Sequence, residues 1–308
     1  MADIPSKIFI DGGEPEETKL ASEILLKHTG RPLDGQTTNP TLIAKNLLDK
    51  IQNPKSKSIS NSKFQDPKIS EEEALGEYKR IVQEMSKIIP KGSISIQVFA
   101  DQETSAEEML EQANERNKWI PNASIKFPCT KEGLNAAGTA CLTMPINITL
   151  VFSQDQAAAV YEATLNPTSL KLRGAQYPIF ISPFVGRLDD RGENGMDVVK
   201  NIKKMYENGD NHVEVLTASV RNVDHILYAI YLKSDIITIP FKVFKLWADG
   251  GFQTPDENYR YERGNLKEIP YRENIVLGRD WQEYDLHHDL TMTGIERFYF
   301  DWMNLFNK

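Results

Sequence analysis

The sequence predicts an α/β protein: a single-domain (β/α)8 barrel of the TIM type with extra C-terminal helices. Two observations carry that reading. Short β-rich apolar runs alternate with amphipathic stretches of helical period along most of the 308 residues, and eight such runs can be marked. Strand–helix alternation calls for parallel βαβ crossovers, and eight parallel strands close a barrel. An open doubly wound sheet stays open as the alternative, because strand order is not readable from one sequence.

The strand runs are 7–11, 33–38, 93–100, 123–128, 146–153, 178–185, 213–220 and 235–240. Seven of the eight carry two or more of Ile, Val and Phe, and 33–38 is the polar exception. Between them lie amphipathic stretches at 16–28, 71–89, 105–119, 131–144, 154–165, 196–207 and 222–233. Ser70 precedes Glu71-Glu72-Glu73, a pattern in which the hydroxyl caps a helix and Glu73 completes a capping box. Residues 53–68 are rich in Ser, Lys, Asn and Pro and read as a surface insertion. After the eighth run, 241–308 reads as a C-terminal helical extension packed on the barrel. It has a helix at 241–249, a polar Tyr- and Arg-rich stretch, and a closing helix over 294–306. Ile295, Phe298, Trp302, Leu305 and Phe306 give that last helix an apolar side.

Composition narrows the function classes. A net charge of −8 disfavours nucleic acid and anionic membranes as partners, while leaving room for a locally basic pocket. No apolar run reaches the length of a membrane span, and the first residues lack a signal-peptide layout. Two cysteines, Cys129 and Cys141, make no disulfide framework, and the expectation is a reducing, cytoplasmic setting. His212, His287 and His288 show no metal-ligand spacing and read as surface or loop histidines. No metal site is expected.

The informative residues are polar groups inside the strand runs. Lys126 is a lone cation in Ala123–Pro128, where packing alone would favour Val, Ile or Leu. An amine held there loses solvation in its charged form, so its pKa falls, and a neutral amine attacks carbonyls. A lysine on a solvated edge strand is the other reading. Alternation of faces groups Ser124 with Lys126, Asn147 with Thr149 and Val151, Ser182 with Phe184, and Ser219 with Arg221. Asp11 ends the first run, Asn39 follows the second and Gln97 sits within the third. In a barrel the outward face meets the helices and should be apolar, so this polar set points inward, toward one pocket at the C-terminal mouth.

At these residues the chain resembles a known family. Thr37-Thr38-Asn39-Pro40-Thr41-Leu42-Ile43 looks like the TTNPSLI signature of transaldolases. Ile125–Gly133 is similar to their Schiff-base lysine strand, Ile146–Ser153 to the strand that follows it, and Ile181–Arg187 reads ISPFVGR as theirs does. Ala218–Asn222 resembles their ASxRN phosphate turn, and Leu290–Ile295 the motif that opens their final helix.

The resemblance implies a class I enzyme that needs neither metal nor organic cofactor. It would move a dihydroxyacetone unit between sugar phosphates of the pentose phosphate pathway. The donor would be fructose 6-phosphate or sedoheptulose 7-phosphate, and the acceptor erythrose 4-phosphate or glyceraldehyde 3-phosphate. It implies Lys126 as the imine-forming lysine, Asp11 as the proton acceptor, and Asn39, Asn147 and Ser182 on the dihydroxyacetone hydroxyls. Arg187, Arg221 and Ser219 would hold the phosphate. A surface ion pair with Asp189 or Asp190 is the alternative for Arg187. A homodimer rests on the resemblance alone.

One position departs from the pattern. Transaldolases carry Glu where this chain has Gln97, and that Glu, with the residue matching Thr149, orients the water that shuttles protons. Glutamine orients water but is a poor base. The related fructose 6-phosphate aldolases have Gln there, with Tyr in place of Phe184. The alternatives are therefore an aldolase-like activity that releases free dihydroxyacetone, or a non-catalytic sugar-phosphate binder.

Overall fold

The computed structural model describes residues 4–52, 69–165 and 177–306. The expected insertion at 53–68 lies outside them. Eight parallel strands close in sequence order: β1 (Lys7–Asp11), β2 (Gly35–Thr37), β3 (Ser93–Gln97), β4 (Ala123–Pro128), β5 (Ile146–Val151), β6 (Ile179–Pro183), β7 (Val213–Thr217) and β8 (Ile236–Pro240). Ile10 of β1 pairs with Ile239 of β8, which shuts the barrel and removes any free edge. The open-sheet alternative falls with that pairing.

Helices wrap the strands: α1 (Pro15–Thr29), α2 (Pro40–Gln52), α3 (Glu71–Ile88), α4 (Ala106–Arg116), α5 (Lys131–Ala140), α6 (Gln154–Ala163), the short α7 (Val185–Asp189), α8 (Gly195–Tyr206), α9 (Val223–Tyr231), α10 (Phe241–Asp249) and α11 (Asp289–Met303). The capping box forms as expected: Ser70 Oγ accepts from Glu73 N at 3.2 Å, and the Glu73 carboxylate accepts from Ser70 N at 2.8 Å. Two helices went unread in the sequence. Pro40 at the first helical position and Asn39 Oδ1, which accepts from Leu42 N at 3.0 Å, start α2. The end of the sixth run bends into α7 instead of continuing as strand. Between α10 and α11 the extension has no further α-helix, only the single 3-10 turn Trp281–Glu283.

Outward-facing strand residues such as Ile8, Ile10, Ile94, Ile96, Ile125, Phe127, Ile146 and Ile148 are fully buried under the helices. The inward face differs in kind. Ser95, Gln97, Ser124, Lys126 and Asn147 stand side by side there, because the register pairs Ser95 with Ser124, Gln97 with Lys126 and Lys126 with Asn147. The expected grouping of Val151 with Asn147 and Thr149 does not hold. Ile148 pairs with Ile181 and Val151 with Pro183, so three residues of β5 advance against two of β6, and Leu150 takes a left-handed backbone (φ 61). That bulge turns Val151 to the other face.

The bulge also docks α11. Thr291 Oγ1 donates to Leu150 O at 2.9 Å and accepts from Gln156 Nε2 at 2.8 Å, pinning the last helix across β5. A side chain on Gly294 would meet Leu150 Cδ2 at 2.6 Å and Arg187 Nη1 at 2.7 Å, so only glycine allows that approach. Thr291→Val, which leaves both partners without their bond, is expected to cost about 1–3 kcal/mol. Urea unfolding should show a lower midpoint at unchanged slope.

Candidate active site

The C-terminal ends of the strands open into a cavity of about 260 Å³ lined by Asp11, Asn39, Lys126, Ser182, Phe184, Arg187, Ser219 and Arg221, with Thr37, Thr238 and Arg297 among its other walls. Eight of the eleven residues singled out from the sequence meet in this one space. The other three, Gln97, Asn147 and Thr149, lie behind it on the strands flanking Lys126.

Lys126 is 2% exposed, and its Nζ donates to Thr38 O at 3.2 Å. The solvated-edge reading is thereby excluded. Burial is the main cause that lowers its pKa to about 8, opposed by the charge of Asp11 and assisted by that of Arg187. Asp11 shows the complementary behaviour. Burial raises its carboxyl above the ordinary value, while Lys126, the Thr37 hydrogen bond, Arg187 and Arg221 pull it back. Thr37 Oγ1 donates to Asp11 Oδ1 at 2.8 Å and sits 2.6 Å from Thr238 Oγ1, so β2 and β8 together fix the carboxylate on β1. The lysine and the carboxylate line the same cavity and form no direct ion pair with each other.

Ser182 Oγ donates to Asn147 Oδ1 at 2.7 Å, and Asn147 Nδ2 donates to Ser95 Oγ at 3.1 Å. The chain across β6, β5 and β3 sets the amide orientation. Gln97 Oε1, Ser124 Oγ and Thr149 Oγ1 are buried polar atoms with no partner among the described residues, on β3, β4 and β5. Such atoms are suited to water or substrate hydroxyls.

The far wall is cationic. Arg187 lies over the rings of Phe184 (5.5 Å) and Phe298 (5.3 Å) instead of pairing with Asp189 or Asp190. Burial, together with the nearby charges of Arg297 and Arg221, lowers its guanidinium to about 10. Asp190 pairs with Arg221 at 3.0 Å, and Asp189 with His225 at 2.9 Å. Ser219 takes a left-handed backbone (φ 59) where β7 turns into the loop, and its carbonyl accepts from Gly186 N at 3.0 Å. A Cβ on Gly186 would lie 2.3 Å from Arg221 Nε, so that glycine makes room for the second arginine.

Arg297, from α11, is a charged cavity-wall residue that sequence reasoning missed. It sits beside the apolar stripe used to identify the helix, and only its place three residues after Gly294 hints at the barrel mouth. His288, read as a surface or loop histidine, lies in the loop before α11 and is partly buried. It caps α11, accepting from Leu290 N at 3.2 Å, and stacks on Phe152, the ring behind Phe184. The His212 side chain is buried against Tyr161 and Asp210. Cys129 and Cys141 are free and buried, with thiols pushed above their ordinary pKa by burial. Among the described residues no cluster of three His, Cys, Asp or Glu could hold a metal, and no helix is long and apolar enough to cross a membrane. A low-pKa amine facing a carboxylate, with an arginine wall beyond, can form an imine with a carbonyl compound bearing an anionic group.

The lysine has a cost that pH reveals. Unfolded, its amine titrates near the ordinary lysine value, and folded at about 8. Between those two pH values the unfolded chain holds a proton the folded one lacks, so this group's contribution to stability rises with pH across the window. Lys126→Met, which has no proton to lose, is expected to be more stable than the wild type at pH 7 by on the order of 1–3 kcal/mol. The difference should shrink as pH climbs from 8 toward 10, read by denaturant unfolding at each pH.

The transaldolase/fructose-6-phosphate aldolase family matches residues 8–308. A probable transaldolase of Lactiplantibacillus plantarum is 34% identical over 247 residues, covering 79% of this chain and 89% of that protein. One from Listeria monocytogenes, probable transaldolase 2, is 33% identical over 244 residues, covering 79% and 88%. A probable transaldolase of Geobacter sulfurreducens is 31% identical over 299 residues, covering 96% and 97%. By both the family match and these relatives, the chain belongs to the transaldolase/fructose-6-phosphate aldolase family.

Proposed function

We propose that this protein is a transaldolase that moves a dihydroxyacetone unit from a ketose phosphate to an aldose phosphate through an imine on Lys126. The observation that carries the reading is the buried lysine, held at a pKa of about 8, across one cavity from Asp11 and an arginine wall. At neutral pH a useful fraction of such an amine is uncharged and nucleophilic.

In this reading Nζ attacks the C2 carbonyl of fructose 6-phosphate or sedoheptulose 7-phosphate, and loss of water gives a protonated imine. Asp11 accepts the C4 hydroxyl proton while the C3–C4 bond breaks, and the bonding pair is drawn toward the iminium to leave an enamine. The shortened aldose phosphate departs. Erythrose 4-phosphate or glyceraldehyde 3-phosphate then enters, the enamine carbon attacks its aldehyde, and Asp11 returns the proton to the new hydroxyl. Hydrolysis frees the product and the amine. Asn39, Asn147 and Ser182 hold the hydroxyls of the three-carbon unit. Arg187, Arg221, Ser219 and Arg297 hold the phosphate, with Arg187 kept rigid by the two rings it covers. Gln97 and Thr149 orient the water exchanged when the imine forms and breaks, and their unpartnered oxygens support that role.

Trapping with borohydride and fructose 6-phosphate, read by peptide mass, tests the reading. A reduced adduct on the Lys126 peptide, absent from Lys126→Met, is expected; wild-type protein that binds the sugar phosphate without an adduct would overturn it. Arg297→Ala should raise KM for the ketose phosphate by roughly tenfold with a smaller effect on kcat, as loss of one charged phosphate contact predicts.

Gln97 gives specific support to a second reading, an aldolase that releases free dihydroxyacetone. Its neutral amide beside Lys126 cannot serve as a base. Assay of dihydroxyacetone with and without an acceptor aldose phosphate separates the two. Gln97→Glu is expected to speed imine formation and transfer by roughly tenfold or more. No change, or a loss, would mean that Gln97 is not the limiting proton handler.

A further inference from the structure

We propose that Tyr78 is a positioning residue for the Lys126 amine: its hydroxyl replaces one rung of the barrel ladder and so frees the Thr38 carbonyl to hold Nζ. For catalysis this rests on the reading of Lys126 as the imine-forming lysine; the geometry stands without it.

The argument starts from the hydrogen-bond order between β2 and β3. In a parallel pair the bonds alternate along the two strands at every second residue. Ser93 N donates to Asp34 O at 3.0 Å, and Thr38 N to Ser95 O at 3.2 Å, with Gly35 opposite Ser93 and Thr37 opposite Ser95. The next rung would run from Gln97 N to Thr38 O. It is not made. Gln97 N donates instead to the Tyr78 hydroxyl at 3.1 Å, and Thr38 O accepts from Lys126 Nζ at 3.2 Å.

Tyr78 is held for this task from both ends. Its oxygen lies 2.6 Å from Thr38 Oγ1, and Thr38 Oγ1 donates to Ser95 O at 2.8 Å, which leaves the tyrosine as donor to the threonine. The ring is fully buried on α3, edge-on to Trp119 and close to Trp302 and Phe99. One residue thus accepts the N–H that would otherwise claim the carbonyl and fixes the side chain of the residue that owns it. The charged groups acting on the pair are Asp11 from β1 and Arg187 from α7 on Lys126, and Arg116 from α4 on Tyr78.

Tyr78→Phe tests this. Without the hydroxyl, Gln97 N–H has the Thr38 carbonyl as its nearest remaining ladder partner, and the ammonium form of Lys126 loses an acceptor. Reductive methylation by formaldehyde and cyanoborohydride, read on the Lys126 peptide across pH, is expected to have its midpoint lowered by about one pH unit. Borohydride trapping with fructose 6-phosphate should slow by roughly tenfold or more at saturating sugar, with KM changed by less than about twofold. Thr38→Val, which removes the tyrosine's anchor, should move both readouts the same way, and Thr38→Ser should restore them. Those two variants carry the test if Tyr78→Phe does not fold. Tyr206→Phe, which removes another buried hydroxyl, one that donates to Ala157 O at 2.7 Å, should lower stability and leave both readouts unchanged. If Tyr78→Phe and Thr38→Val lower stability but keep the wild-type methylation profile, the proposal is overturned. Methylation needs no sugar, so a wild type that forms no adduct with fructose 6-phosphate would defeat the functional reading while leaving this outcome readable.

Discussion

The mouth of this barrel is organised around an amine taken out of water. A buried lysine is costly when charged, and the closed barrel leaves it only the cavity at the mouth. Its neighbours limit that cost without removing it. Asp11 is near enough to favour the charged form and too far to form an ion pair, while Arg187 works against it. An intimate pair with Asp11 would have held the amine protonated, and a wholly apolar surround would have given it neither direction nor partner. The intermediate arrangement leaves an amine whose pKa lies near the physiological range.

The shortness of β2 follows from the same requirement. Its ladder to β3 ends with Thr38 N on Ser95 O, because Gln97 N turns to the Tyr78 hydroxyl, and Pro40, which has no N–H to donate, begins α2 at once. Four successive residues then do four different jobs. Thr37 binds Asp11, the Thr38 carbonyl binds Lys126, Asn39 caps α2 from the cavity wall and Pro40 begins that helix. Each job depends on the chain leaving the sheet at this point, so the tetrapeptide behaves as one structural device.

Much of this was legible in the sequence because a strand's alternation is a local rule. Polar residues at every second position of an apolar run had to face inward once the sheet closed, and Lys126, Asn147 and Ser182 do. What was not legible depends on partners distant in the chain. Leu150 has no turn-forming character, and its left-handed bulge exists because β5 must step past β6 and offer a carbonyl to Thr291, 141 residues away. Tyr78 looked like one more apolar residue on an amphipathic helix, since nothing local reveals that its hydroxyl ends in a strand ladder. Arg297 was hidden by the apolar stripe beside it. The helix α2 carried its signals, Asn39 and Pro40, but the same residues drew attention as a motif.

In the proposed reading the arginine wall reconciles an acidic protein with an anionic ligand. A net charge of −8 acts over the whole surface, and salt screens it within about a nanometre. Inside the cavity one wall is made cationic by Arg187, Arg221 and Arg297, drawn from α7, the loop after β7, and α11. Two of them are restrained by acidic partners at their outer side, Arg221 by Asp190 and Arg297 by Asp301 at 3.6 Å. Arg187 has no such partner among the described residues and lies over two aromatic faces. Like charges brought this close repel, which is why Arg187 is lowered by its two neighbours as well as by burial. An oxyanion would relieve that repulsion as it binds. The last helix, pinned by Thr291 and brought close by Gly294, is therefore more than a cover for the barrel, because it supplies the third arginine of the cavity wall.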